Sequence, residues 1–151
     1  MKETRKKKQG KRNKEKETRK KKQGKRNKEK ETRKKEMREN DLLQRTFNFG
    51  VDCINFLRKL PNNQEYQVIK YQLIKCATST GANYEESQAG SSKADFKNKV
   101  RIALREARES NYWLKVIDKL GDIKSEELDR LLKESNELKN ILASIINNTK
   151  V

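Results

Sequence analysis

The chain has 151 residues, of which 31% are hydrophobic and 40% are charged, and its net charge is +17. It contains no histidine and two cysteines, which excludes histidine-based general base catalysis and leaves too few ligands for an ordinary zinc site. No apolar run approaches the roughly 18–20 residues that cross a bilayer, and no hydrophobic stretch follows the basic N-terminus as in a secretory signal. We therefore expect a cytoplasmic protein with no membrane partner.

The positive charge is concentrated in the first forty residues. They hold 21 Lys and Arg and 7 Asp and Glu, a net charge of +14, whereas residues 41–151 have a net charge of +3. After the initiator their one hydrophobic side chain is Met37, so they have nothing with which to build a core. We predict a basic, low-complexity arm over residues 1–40, disordered or loosely helical, followed by a folded domain over residues 41–149.

The arm consists largely of a repeated segment, ETRKKKQGKRNKEK, at residues 3–16 and again, without substitution, at residues 17–30. Lys and Arg at this density bind polyanions by releasing counterions, so such binding depends on salt and largely ignores sequence. A solvated tail that contacts RNA only as any polycation does is an equal alternative. The nucleic-acid contacts that we name in the arm are Lys6, Lys7, Lys8, Lys11, Arg12, Lys20, Lys21, Lys22, Lys25 and Arg26.

The unsubstituted repeat also indicates a recent duplication of the DNA. A second hypothesis about the arm is therefore that residues 1–36 are translated upstream sequence, absent from the native product, and that Met37 is the native start. Mass spectrometry of the protein from its own host distinguishes the two.

From residue 41 onward, apolar residues at spacings of three and four predict four helices. Pro61 ends the first and Gly90 the second; Ser92 caps the third, which Gly121 closes, and Ser125 caps the fourth. Amphipathic helices joined by short loops predict an all-α, up-down-up-down four-helix bundle preceded by the basic arm. Apolar positions that define the four helices include Leu43 and Phe47, Ile69 and Leu73, Val100 and Ala107, and Leu128 and Leu131.

Small and polar residues suggest how the helices pack. The Ala77–Ala82 stretch of the second helix and Ala107 of the third predict that these two helices approach closely. Gly81 is expected at that crossing, and Asn83 is expected to form a hydrogen bond across it. Cys53 and Cys76 lie in apolar segments and are expected to be reduced core thiols.

A second apolar stripe suggests self-association. Leu132, Ile141 and Ile146 lie beside the main seam of the fourth helix, and Tyr112 and Trp113 flank it on the third. Such a stripe is typical of a subunit interface, so we expect a homo-oligomer. Stacking of these two aromatic side chains on a nucleic-acid base is the less favoured alternative.

Carboxylates are the candidates that remain for acid–base chemistry. Glu106 and Glu109 alternate with Arg101, Arg105 and Arg108, a pattern typical of a helix face stabilised by salt bridges. Metal-binding bundles add histidine to paired glutamates, and this chain has none. We therefore expect no enzymatic activity, no metal and no cofactor, and an enzyme that uses glutamates of the second and third helices is the third hypothesis.

One segment, KCATSTGANYEESQAGSSKADFKNKVRIALREARESNYWL, resembles the four-helix-bundle proteins encoded by intervening sequences in bacterial 23S rRNA genes. The resemblance covers about residues 37–150, with Ser87 where the family has Ala and Cys76 where Ser or Ala is usual. The family-motif residues to which we assign structural roles are Gly81, Asn83, Glu86, Phe96, Glu106, Glu109, Tyr112 and Trp113.

The resemblance implies a bundle that assembles as a ring-like homopentamer without catalytic activity. Related accessory proteins of diversity-generating retroelements have a basic surface that binds nucleic acid and a reverse transcriptase. The leading hypothesis is a non-enzymatic, oligomeric protein that binds nucleic acid, with RNA as the expected partner. The alternative is an adaptor that binds a protein partner. On the bundle, the nucleic-acid contacts that we name are Lys97, Lys99, Arg101, Arg105 and Arg108.

Overall fold

The computed structural model describes residues 2–150, with side chains described at 16, 18–34 and 41–150. These residues form four helices and no strand: α1 (Lys2–Leu57), α2 (Gln64–Gln88), α3 (Lys93–Leu120) and α4 (Glu126–Asn148). The predicted all-α class is therefore confirmed. By contacts the chain divides into two compact units, Met1–Asp41 and Leu42–Val151.

The arm is helical from Lys2, where the sequence analysis allowed disorder or loose helix. Lys, Arg, Glu and Gln, which make up most of the repeat, are strong helix formers, and this explains its helical state without a core. The side chains described in residues 1–40, at positions 16 and 18–34, are all exposed.

The ends of the later helices follow local capping chemistry. Ser92 and Ser125 each accept, through their hydroxyl oxygens, the backbone N–H three residues ahead at 3.1 Å, as predicted. Gly121 ends α3 in the left-handed region, with φ of 79°, where a side chain is disfavoured. Asn63 caps α2 in the same way at 3.0 Å, a cap that the sequence analysis did not name.

A single hydrophobic core fills the unit Leu42–Val151. Cys53 and Cys76 are buried, unbonded thiols within it, as expected. Burial raises the pKa of the Cys76 thiol to about 11 and raises that of Cys53 further. Each fully buried aliphatic side chain contributes about 1.5–3 kcal/mol relative to exposure. All four helices contribute side chains of at most 1% exposure, including Phe49 and Leu57, Leu73 and Tyr84, Val100 and Leu114, and Leu138 and Leu142.

Ion pairs join α1 and α4. Arg45 binds both carboxylate oxygens of Glu134, at 2.9 and 2.8 Å, and also reaches Glu137 at 2.8 Å. Further along, Arg130 pairs with Asp52 at 2.8 Å. The hydrogen bonds to these carboxylates raise the pKa of Arg45 and of Arg130 above the usual range. The seam between α1 and α4 is therefore neutralised by opposite charges.

Two glycines bring the backbones of α1 and α2 together. A Cβ atom at Gly81 would lie 3.1 Å from the carbonyl oxygen of Thr46, and one at Gly50 would lie 3.4 Å from that of Ala77. Gly81 is thus at a close crossing, but against α1 and not against α3 as predicted.

The prediction for Asn83 is wrong. Its amide donates to the backbone oxygen of Ser79 at 2.9 Å, within α2. Two residues span about 200° of a helix, so Asn83 lies well away from the direction in which Gly81 meets α1.

The predicted second apolar stripe is exposed at Tyr112 of α3 but not on α4. Leu132, Ile141 and Ile146 are half-buried and pack against the core. The most exposed large apolar side chains are instead Tyr71 of α2, at 66%, and Phe47 of α1, at 65%. A groove of about 360 Å³ between α1 and α2 is lined by side chains that include Phe47, Val51, Ile54, Thr78 and Ala82.

Candidate nucleic-acid interface

The charges of α3 separate onto two flanks. The carboxylates of Glu106 and Glu109 lie near the Cys76 thiol of α2. Burial is the main cause of the raised pKa of this thiol, and the two carboxylates raise it further. On the other flank, Lys97 donates to the backbone oxygen of Thr149, next to α4, at 2.9 Å. Arg101 lies four residues after Lys97 and so projects from this same flank.

This separation explains why the predicted salt-bridge face is wrong. Within the described residues of α3, no salt bridge joins side chains that are three or four residues apart. Arg105 reaches its immediate neighbour Glu106 at 3.4 Å, and Arg101 donates to the side-chain oxygen of Asn98 at 3.2 Å. At about 100° per residue, the glutamates turn towards α2 while Arg101 and Arg108 turn towards α4.

A buried amide holds α3 against α4. Asn111 is 4% exposed, and its Nδ2 donates to the Ser135 hydroxyl at 2.8 Å. Lys139 of α4 donates from Nζ to the Asn111 Oδ1 at 3.1 Å. Both ends of the amide are therefore satisfied, as a buried polar group requires.

Three cations lie close together at this position. Partial burial lowers the pKa of Lys139, and the nearby charges of Lys115 and Arg108 lower it further. Both neighbours are exposed, and neither forms an ion pair with any residue that the structure describes. The cluster therefore carries uncompensated positive charge.

The other predicted contacts on the bundle are occupied to different degrees. Lys99 pairs with Glu86 of α2, and this hydrogen bond raises the pKa of Lys99. Lys97 is half-buried and bonded to backbone, whereas Arg101, Arg105 and Arg108 are exposed. The structure therefore leaves the arginines more available to a ligand than the two lysines.

The predicted arm contacts fall into two groups. Lys20, Lys21, Lys22, Lys25 and Arg26 are all exposed. The side chains of the first copy lie outside the described part of the arm: Lys6, Lys7, Lys8, Lys11 and Arg12.

The aromatic pair beside the cluster is partly accessible. Tyr112 is 58% exposed, and its ring stands edge-on to Trp113 with centroids 5.1 Å apart and planes at 78°. Trp113 is half-buried and donates from Nε1 to Glu109 at 3.4 Å. Phe96 packs against the core, and Tyr84 is 1% exposed. Tyr112 is therefore the aromatic side chain of the motif that a ligand can reach most readily.

The sequence analysis missed Asn111, Lys115 and Lys139. Asn111 falls at a core position of α3, between Ala107 and Leu114, and a polar residue there was a usable signal. Lys115 falls seven residues, or about two helical turns, after Arg108, and this spacing places both residues on the same flank of α3. Nothing in the sequence pairs Lys139 with them, because that contact depends on how α4 is set against α3.

Two further features bear on the kind of site. In the part of the chain that the structure describes, His, Cys, Asp and Glu form no group of three or more that could hold a metal ion. Of the helices described, none has a stretch long and apolar enough to cross a membrane.

Comparison with known proteins agrees with this architecture. The model of a family described as 23S rRNA-intervening sequence protein matches residues 38–144. A crystal structure of a protein with unknown function from the S23 ribosomal protein family of Bacteroides thetaiotaomicron is 34% identical, with a TM-score of 0.66, over 73% of this chain and 98% of that one. Curated proteins gave no match. The chain therefore belongs to the family of 23S rRNA-intervening sequence proteins.

Proposed function

We propose that this protein is a non-enzymatic, oligomeric, cytoplasmic protein that binds RNA through basic surfaces. One observation carries the proposal. Of the eighteen side chains described in the arm, eleven are Lys or Arg and two are Glu, and all eighteen are exposed. A helical segment of this composition attracts the phosphate backbone and releases its counterions. The family's description, which refers to 23S rRNA, makes RNA the first partner to test.

We further propose that residues 41–149 form an up-down-up-down bundle. The contacts that support it run in opposite directions along neighbouring helices. On α1 and α4, for example, Arg45 meets Glu137 and Asp52 meets Arg130. On α3 and α4, Lys97 meets Thr149 and Asn111 meets Ser135.

The proposed assembly is a homopentamer. The exposed apolar side chains of α1 and α2, led by Phe47 and Tyr71, supply a surface that a neighbouring copy would cover. Five copies of a domain with a charge of +3 bring +15 together before the arms are counted, and this favours polyanions. Light scattering of the full chain measures the mass of the assembly directly.

The test of RNA binding uses the full chain and a full-length variant in which the ten named arm residues are replaced by Gln. Binding to labelled RNA is measured across a salt series. We expect the full chain to bind at low salt with a steep salt dependence, and the variant to show a shallower slope because fewer phosphate contacts are made. Absence of binding by the full chain at low salt would refute the proposal.

A protein partner is the second candidate. The apolar groove between α1 and α2 favours it, because the groove is lined by Phe47, Val51 and Ile54 beside the small residues Gly50 and Gly81. An adaptor predicts a discrete protein bound to the full chain and released by Val51→Asp, with no change in RNA affinity. Retention of every bound protein by that variant would count against the adaptor function.

A further inference from the structure

The outer seam between α3 and α4 carries basic residues and no acidic ones over most of its length. Residues three and four positions apart lie on the same face of a helix. On this basis the seam is lined by one stripe of α3, from position 97 to 115, and one stripe of α4, from position 132 to 146. None of these positions is Asp or Glu. The basic residues there are Lys97, Arg101, Arg108, Lys115 and Lys139.

The seam between α1 and α4 has the opposite character. There Arg45 meets Glu134 and Arg130 meets Asp52. The charges of Arg108, Lys115 and Lys139 have no such partner among the described residues, and after burial the first two help to lower the pKa of Lys139. An anion from another molecule would supply the negative charge that these cations lack.

Lys139 is held in place for such a contact. Asn111 accepts from one of the three ammonium donors at 3.1 Å. The other two donors have no acceptor among the side chains and backbone that the structure describes. Because Asn111 is itself fixed by Ser135, the ammonium is positioned before a ligand arrives.

An exposed aromatic ring lies beside these cations. Tyr112 follows Arg108 by four residues and precedes Lys115 by three, so the three side chains share one face of α3. Aromatic rings next to a basic groove are how proteins bind unpaired bases, since every base has a face that stacks. A duplex keeps its base faces covered and cannot use the ring in this way.

We propose that the seam between α3 and α4 binds single-stranded RNA, with backbone phosphates at Arg108, Lys115 and Lys139 and a base stacked on Tyr112. The inference rests on the proposed RNA-binding function and names the surface of the bundle that performs it. It differs from binding by the arm, which has no aromatic residue and treats single strands and duplexes alike.

The first test is made on the full-length chain whose arm residues are replaced by Gln, so that the arm does not mask the bundle. Arg108→Gln with Lys115→Gln is compared with Arg58→Gln with Lys75→Gln, an exposed pair with the same charge change, just after α1 and on α2. Affinity for labelled oligouridine is measured by anisotropy across salt. The seam variant should lose about tenfold in affinity at low salt, and its salt slope should fall by about 1.4 for two lost phosphate contacts. The control pair should match its parent.

The second test examines stacking. Tyr112→Leu should weaken oligouridine binding about tenfold, whereas Tyr112→Phe, which keeps the ring, should bind as the parent does. Tyr71→Leu is the matched control, because Tyr71 is exposed to a similar degree on another face. Circular dichroism and the assembly mass confirm that each variant is folded.

Three results would overturn the inference. The seam pair and its control could bind equally, Tyr112→Leu could bind as the parent does, or the arm-substituted chain could fail to bind while the full chain binds. In each case the proposed function stands and the seam is not its site. Failure of the full chain itself to bind RNA refutes the proposed function instead.

Discussion

Alanine substitutions at Gly50 and Gly81 should change stability in opposite directions. In a helix interior, alanine is more favourable than glycine by about 1 kcal/mol. At Gly50 the added methyl would lie 3.4 Å from its nearest neighbours, the carbonyl oxygen of Ala77 and the Cα of Thr78, which is ordinary contact. We therefore expect Gly50→Ala to raise the free energy of unfolding by about 0.5–1 kcal/mol.

At Gly81 the added methyl would lie closer to the backbone of α1. It would lie 3.1 Å from the carbonyl oxygen of Thr46 and 3.3 Å from its carbonyl carbon. Neither atom can rotate away, so α1 must shift, and overpacking of this kind costs about 1–3 kcal/mol. After the gain in helix propensity is subtracted, Gly81→Ala should lower the free energy of unfolding by about 1 kcal/mol.

The assay is urea unfolding of the full chain, followed by tryptophan fluorescence at a fixed protein concentration, because assembly contributes to apparent stability. Gly24→Ala is the negative control and should leave the tryptophan-reported transition unchanged, since a Cβ there meets nothing within 4 Å and the residue lies in the other unit. The predicted difference between Gly50→Ala and Gly81→Ala is about 2 kcal/mol. Equal stabilisation by the two substitutions would refute the assignment of Gly81 to the close crossing.

Three more predictions concern other contacts of the bundle. Asn111→Ala should lower the free energy of unfolding by about 1–3 kcal/mol, because Lys139 loses its acceptor and Ser135 its donor; an unchanged urea midpoint would contradict this. Arg45→Met should cost about 1–2 kcal/mol, and a double-mutant cycle with Glu134→Gln should show coupling. The raised pKa of Cys76 favours the neutral thiol in the folded state, so stability should fall as pH rises from about 9 towards 11; a Cys76→Ala variant should show a weaker decline.

Helix ends were predictable because they depend on neighbouring residues. Ser92, Gly121 and Ser125 bond or turn within a few positions of themselves, and each was identified from its type and place. Gly81 was predictable as a close approach, but its partner was not. Which helix it meets depends on the arrangement of all four helices.

The candidate interface shows the same limit. The charges of α3 are mixed along the sequence, and their separation into a flank beside α2 and a flank beside α4 follows from rotation by 100° per residue. That step was available from the sequence. The contribution of Lys139 was not, because it comes from another helix, about thirty residues later, through Asn111. The half-burial of Leu132, Ile141 and Ile146 was not predictable either, because it depends on how the other helices pack against α4.

The pair of Tyr112 and Trp113 has a practical consequence. Trp113 is the single tryptophan of the sequence, and its ring centroid lies 5.1 Å from that of Tyr112. At this separation, light absorbed by the tyrosine is passed efficiently to the indole, so the native protein contains its own optical reporter at one defined place on α3. A base that stacks on Tyr112 would compete for that excitation and dim the indole emission. Occupancy of the surface is therefore readable without a label on either molecule.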